Sequence, residues 1–154
     1  MSAENTDQDC KLVMQPILNA FGTLSRTVQA QDASVYATST LIVYRSDDFA
    51  RAALARWHDD ATRCKTERDS ANRVAWDRIH PIEVPKPKGL DDVVAEEGHS
   101  PIDEKGGPAD TYYTYITGRK GPFLVQSYMA RSGTQVQNRE QALNALSLMA
   151  SRLH

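Results

Sequence analysis

Six aromatic residues fall in stretches rich in β-formers: Trp76, Tyr112, Tyr113, Tyr115, Phe123 and Tyr128. Residues two apart on a strand point to one side, so Tyr113 and Tyr115 share a face and Tyr112 takes the other. Such rings pack against one another across strands, or they wall a cleft whose phenols hydrogen-bond an apolar ligand. Arg78 follows Trp76 by two and joins its predicted face. The ligand contacts expected from sequence are therefore Trp76, Arg78, Tyr113, Tyr115 and Tyr128. The expected ligand is small and apolar or amphipathic.

Proton transfer is the other chemistry in reach. His80 falls on the face predicted for Trp76 and Arg78, beside a stretch holding Glu96, Glu97 and His99. An imidazole or carboxylate under a closing loop can act as an acid or base, which makes His80 and Asp77 the catalytic candidates. His58, Asp59 and Asp60 are adjacent on a predicted helix and do not converge. No spacing matches a zinc site, and the sequence holds no GxSxG, P-loop, GxGxxG or HExxH motif. No metal and no cofactor is expected.

The chain has 154 residues, 18 basic against 20 acidic. That charge balance lacks the basic excess of a nucleic-acid binder. A 40% apolar and 25% charged composition fits one ordinary globular domain. No apolar run approaches the roughly 20 residues of a membrane span. The polar, acidic residues 1–9 read as a disordered tail without signal-peptide character, leaving residues 10–154 as one domain. Two compartments stay open: the cytoplasm, or the cell envelope for a domain whose leader is absent from this chain. Cys10 and Cys64 are too far apart for CxxC chemistry. They suit either one disulfide or two buried thiols.

The elements that position these groups follow from periodicity. Pro16 opens a predicted helix over 16–30, with Ile17, Phe21, Leu24 and Val28 as its apolar stripe. Residues 38–44 read as a strand. Ser46 then caps a helix running to residue 65, with Asp47 and Asp48 in its first turn and Cys64 on its buried stripe. Residues 73–84 alternate as a strand that Pro81 and Pro85 limit to an edge. The Pro-, Gly- and charge-rich residues 85–109 read as a long loop or lid, with a helical turn over 90–97. Residues 110–117 and 122–131 form a predicted hairpin, which 134–137 extend. Asn138 and Gln141 make a capping-box pattern for the last helix. The expected class is α+β, in the order α-β-α-β-loop-β-β-α. About four to five antiparallel strands would pack with three amphipathic helices.

Two segments carry a family resemblance. LIVYRS runs straight into DDFARAALARWHDDATRC, an Ala-rich helix ending in Cys64; later, PADTYYTY, a Gly turn and FLVQSYMARSGTQVQ lead into NREQALNALSLMASRL. Over residues 35–65 and 108–153 this resembles the PknH-like extracellular sensor domains of actinobacteria, which occur on receptor kinases and as free lipoproteins. In that family a late V-x-V-R-x-G-N-x-V strand precedes the final helix, and residues 125–134 stand in its place here. The resemblance implies an antiparallel sheet backed by helices, with a cleft for a ligand. The function expected from it is a non-catalytic, ligand-binding sensor-type domain of the cell envelope, its ligand held between the sheet and the 85–109 loop. The alternative is a small enzyme of specialised metabolism, a cyclase or acid–base isomerase, using the same pocket.

Overall fold

The structure, a computed structural model, describes residues 9–11 and 17–153. Among these, the elements are β1 (Asp9–Lys11), β2 (Ala20–Gln29), β3 (Val35–Tyr44), α1 (Asp47–Arg63), β4 (Thr66–Arg68), β5 (Val74–Ile82), β6 (Asp92–Ile102), β7 (Pro108–Lys120), β8 (Phe123–Ser132) and α2 (Asn138–Ser151). All eight strands join one sheet in the order β1-β4-β5-β6-β7-β8-β3-β2. β1 lies parallel to β4, and every other neighbouring pair is antiparallel. The α+β class holds, with more strands and fewer helices than the sequence predicts.

The two helices cover opposite faces. Adjacent residues Leu124 and Val125 of β8 enter different cores, as side-chain alternation along a strand requires. Leu124 packs with Ile42, Tyr44, Ala50, Ala53 and Leu54 beneath α1. Val125 packs with Ile116, Ala142, Leu146 and Ala150 beneath α2. α1 begins as expected: Ser46 Oγ accepts from Phe49 N at 3.2 Å, and Asp47 and Asp48 sit in the first turn. The β7–β8 hairpin turns in two residues, because Lys120 pairs with Phe123. Gly121 takes a φ of 54° there, the positive φ that such a turn demands at its first central position. α2 departs from its expected cap. Gln137 holds the N-cap position without a side-chain bond. Asn138 is buried instead, and its Nδ2 donates to Tyr112 O at 3.0 Å and Gln135 Oε1 at 2.9 Å. No strand extends over 134–137.

Two sequence readings are corrected. The helix predicted over 16–30 is the edge strand β2; Pro16 itself lies outside the described residues. Its stripe is not buried: Phe21, Leu24 and Val28 are 73%, 72% and 62% exposed. The signal that decides the strand is the alternation Thr23, Ser25, Thr27. Ser25 Oγ meets Thr40 Oγ1 at 2.9 Å, and Thr27 Oγ1 meets Thr38 Oγ1 at 3.2 Å, a hydroxyl ladder onto β3.

The loop and helical turn predicted within 85–109 are the second correction, since residues 92–102 form the central strand β6 between β5 and β7. Its Glu97, His99 and Ser100 are buried and partnered, so composition alone disguised a strand as a loop. β5 is accordingly no edge. β4 pairs only with its first residues, which leaves Pro81 beside an open flank where a missing N–H costs nothing. Of the tail expected over 1–9, only Asp9 is described, and it belongs to β1; residues 1–8 lie outside the described residues.

The chain is closed at its N-terminal end by a disulfide, Cys10–Cys64. It ties β1 to the C-cap of α1, and β1 in turn pairs with β4. No helix among the described residues is long and apolar enough to cross a membrane.

Candidate functional site

Strand register assembles the rings. Tyr115 stands directly across from Tyr128, and Tyr113 from Ala130, on the α1 side of the sheet. Tyr128 is the hub. Its ring centroid lies 5.6 Å from Tyr113 in a stacked arrangement, 5.7 Å from Tyr115, 6.4 Å from Trp76 and 6.0 Å from Tyr36, the last three edge-on. Trp76 meets Tyr113 edge-on at 5.0 Å. Burial and neighbouring carboxylates push the phenols of Tyr113 and Tyr115 well above the usual range, and burial and Tyr36 do the same for Tyr128. All three therefore remain hydrogen-bond donors at physiological pH.

Gly98 makes this packing possible. It faces Tyr113 across β6 and β7, and a β-carbon there would stand 2.5 Å from Tyr113 Cε1 and 2.7 Å from its Oη. Tyr113 is itself wedged between Trp76 and Tyr128 and cannot yield freely. Gly98→Ala is expected to destabilise by about 1–3 kcal/mol, the usual cost of overpacking, and to change the near-UV circular dichroism of the ring cluster. Urea denaturation measures the first effect. An unchanged midpoint would contradict the close approach.

Two carboxylates join the rings. Glu96, opposite Tyr115, accepts from Tyr113 Oη at 3.4 Å. Burial chiefly, helped by the charge of Glu67, pushes its carboxyl up to about 7. Glu67, opposite Trp76 on β4, is raised by burial and by Asp60. No cation pairs with either among the described residues. Beside Glu96 a narrow crevice of about 10 Å³, room for a single water, opens between α1 and the sheet, bounded by Trp57, His58, Ala61, Tyr115 and Thr117. It adjoins a wider trough of about 410 Å³ where the chain leaves the sheet after β5, lined by Ile82, Val84, Val93 and Val94. The cleft thus lies against α1, and not under a lid formed by 85–109.

Arg78, His80 and Asp77 belong to the other face. One extra residue in β5 opposes β6 between the Asp77↔His99 and His80↔Glu97 pairs. This bulge resets the alternation that placed His80 and Arg78 with Trp76. Arg78 sits in it at a φ of 52° and donates from Nη1 to Tyr112 Oη at 3.5 Å. Asp77 Oδ1 lies 2.7 Å from His99 Nδ1, and Asp110 Oδ1 lies 2.7 Å from His99 Nε2, so buried His99 clamps β5 and β7 to β6. His80 turns its Nδ1 to Arg78 O at 2.8 Å, and its Nε2 stands 3.8 Å from Glu97. Glu97 is held by Arg139 of α2 at 2.9 and 3.0 Å. Burial opposes the Glu97 charge, but the Arg139 bonds outweigh it and hold the carboxyl below its usual range. No group of three His, Cys, Asp or Glu among the described residues is placed to hold a metal.

This architecture has a counterpart among solved structures. The extracellular domain of PknH from Mycobacterium tuberculosis matches with a TM-score of 0.61 at 9% identity, over 88% of this chain and 66% of that one. The fold is that of the PknH extracellular domain. The resemblance read from residues 35–65 and 108–153 is therefore a likeness of fold, and the chain spans just under two thirds of the PknH domain's length. Protein PA94 from Pseudomonas aeruginosa, of unknown function, matches with a TM-score of 0.47 at 12% identity, over 86% and 83% of the two chains. No protein-family model matches the sequence, and no curated protein matches it significantly.

Of the ligand contacts expected from sequence, Trp76, Tyr113, Tyr115 and Tyr128 come together and Arg78 does not. Glu67, Glu96 and Trp57 were missed. Glu96 carried a legible signal, the alternation Val94-Glu96-Gly98 against Val93-Ala95-Glu97-His99. Glu67 carried none, since a three-residue strand is too short to show a period.

Proposed function

We propose that this chain is a non-catalytic, ligand-binding sensor-type domain, folded from residues 10–154 and working outside the cytoplasm. Its ligand, small and apolar or amphipathic, lies in the trough and reaches toward the crevice between α1 and the sheet. One observation carries the reading: Trp76, Tyr113, Tyr115 and Tyr128 converge on one face, Tyr115 bordering the crevice, beside two carboxylates that pair with no cation among the described residues. Rings with a few polar groups at a concave site are the usual make-up of small-molecule pockets. Asp77 and His80 face away from this crevice, which supports binding without acid–base chemistry. The Cys10–Cys64 bridge supports an oxidising compartment such as the cell envelope, and the extracellular domain of PknH has the same fold.

A neutral apolar reporter, N-phenyl-1-naphthylamine, tests the reading. Its emission is expected to rise on mixing with the protein and to fall several-fold with Tyr115→Ala, whose fold is checked by far-UV circular dichroism. Equal emission from folded variant and wild type would overturn the assignment of the crevice.

A further inference from the structure

We propose that two copies of this chain pair edge to edge through β2, antiparallel about a two-fold axis at Ser25, so that their sheets join into one. The pairing goes beyond the ligand-binding reading and does not depend on it. β6, β7, β8 and β3 stand between β2 and the trough beside β5, which stays open in the pair.

The two edges of the sheet are built differently. At one, β1 and β4 have three residues each, a disulfide anchors β1, and Pro81 sits on the flank of β5 that β4 leaves open. Short strands and prolines keep an edge from pairing. β2, at the other edge, has neither. It runs for ten residues with no proline and a single charge, Arg26, and every residue after Ala20 is exposed. A long, open edge with apolar side chains is a template for another strand.

Backbone direction decides which groups are offered. Ala30 N bonds Val35 O, and bonding alternates along an antiparallel pair. Leu24, Arg26 and Val28 therefore turn their amides to β3, while Thr23, Ser25 and Thr27 turn theirs outward. A second β2 takes all three when Ser25 meets the partner's Ser25 and Thr23 meets the partner's Thr27. Side chains fit the same register. Leu24, Arg26 and Val28 share one face with Ala37 and Leu41 of β3. The partner's Val28 then lies across from Gly22, where a β-carbon would meet nothing within 4 Å. The partner's Arg26 lays its aliphatic stem along Leu24. Sliding the strands by two residues one way sets Arg26 against the partner's Arg26, like charges directly opposite. Sliding them the other way runs the irregularity between Ala20 and Gly22 into the new ladder.

A second copy suits this edge better than a foreign strand, because a two-fold pair is self-complementary and closes after two subunits. The axis stands perpendicular to the sheet, so Leu24 and Val28 of both copies form one seam on one face. Phe21, Leu24 and Val28 are among the exposed large hydrophobics. With the paired backbones they bring the contact to roughly 1,000 Å² in total, about the least that a specific interface covers.

Sedimentation equilibrium of the chain reads the dimer, for which a dissociation constant of about 10 µM is expected from a contact of this size. Thr23→Pro removes an outward N–H and no bond to β3, and is expected to weaken dimerisation about tenfold or more with the far-UV circular dichroism unchanged. Leu24→Lys sets a cation against the partner's Arg26 and is expected to weaken it as much, whereas Leu24→Glu supplies an ion pair there and is expected to keep or tighten it. Ser25→Cys, in a chain whose Cys10 and Cys64 are already bonded, is expected to cross-link the dimer on mild oxidation. The two α-carbons stand about 5.5 Å apart in such a pair, within reach of a disulfide, and Val28→Cys is expected not to cross-link. A monomer up to about 1 mM would overturn the proposal and leave β2 to a strand of other origin. A dimer that folded Thr23→Pro and Leu24→Lys leave unchanged would overturn it too, by placing the contact elsewhere. Cross-linking through Val28→Cys and not through Ser25→Cys would overturn the register.

Discussion

Replacing Cys10 and Cys64 together by serine is expected to destabilise the protein by about 4 kcal/mol. The bridge closes a loop with a sequence separation of 54, and the cost of opening it is mainly the chain freedom the unfolded state regains. The local structure adds to the case. β1 has three register pairs, all with β4, and β4 itself has only three residues. Without the bridge this corner keeps few bonds. Cys64 is buried at the C-cap of α1, so the serine hydroxyl there also loses water. Urea unfolding of the double variant beside the oxidised wild type measures the effect, and reduction of the wild type should reproduce it. Coincident midpoints would show that the corner is held by packing alone.

A second large effect concerns Glu96 and pH. Its carboxyl is raised from 4.5 to about 7 in the folded protein, chiefly by burial. A raised acid binds its proton more tightly folded than unfolded. Its contribution to stability is therefore complete below the unfolded value and is lost as pH rises through the folded one. Between about pH 4.5 and pH 7 the wild type should lose up to about 3 kcal/mol from this group. Glu67, raised by burial and by Asp60, acts in the same direction. Glu97 acts in the opposite direction and in a different window. Its folded value is lowered, so its contribution is present above the unfolded value and disappears as pH falls through the folded one. Glu96→Gln removes the ionisation and keeps the shape. The variant is expected to be more stable than wild type at pH 8 and to show most of the pH 5 to pH 8 decline abolished. Urea midpoints of both proteins at the two pH values decide it; parallel declines would place the titration elsewhere.

The two effects concern one region, seen from opposite sides. The disulfide holds the strap that brings Glu67 over the rings, and the strap helps to make Glu96 hard to ionise.

How far these features could be read in advance varied with the kind of signal. Ser46 with Asp47 and Asp48, followed by Ala50, Ala53, Leu54 and Ala61, specified α1 because a cap and a helical period agreed. The two alternating runs around Gly121 specified the β7–β8 hairpin for the same reason. In β2 the signals conflicted. Phe21, Leu24 and Val28 have helical spacing, but no face of the described chain covers them, and the hydroxyl ladder to β3 prevailed. In β6 the residues Glu97, His99 and Ser100 are buried yet polar, so hydropathy could not mark their faces.

From residue order alone came the α+β class, α1 and its Ser46 cap, the hairpin, four of the clustered aromatics and the likeness to PknH-like domains, because each depends on contacts close in sequence or on periods several residues long. Only the folded chain decided which carboxylates stand beside those rings. His80 is moved off the face of Trp76 by one extra residue in β5, a shift visible only against the partner strand β6. Glu67 and Glu96 meet across a sheet whose strand order the intervening segments do not spell out. A strand's outward pattern is local, but its neighbour and its register are set by which pairing buries the most, and that is a property of the whole chain.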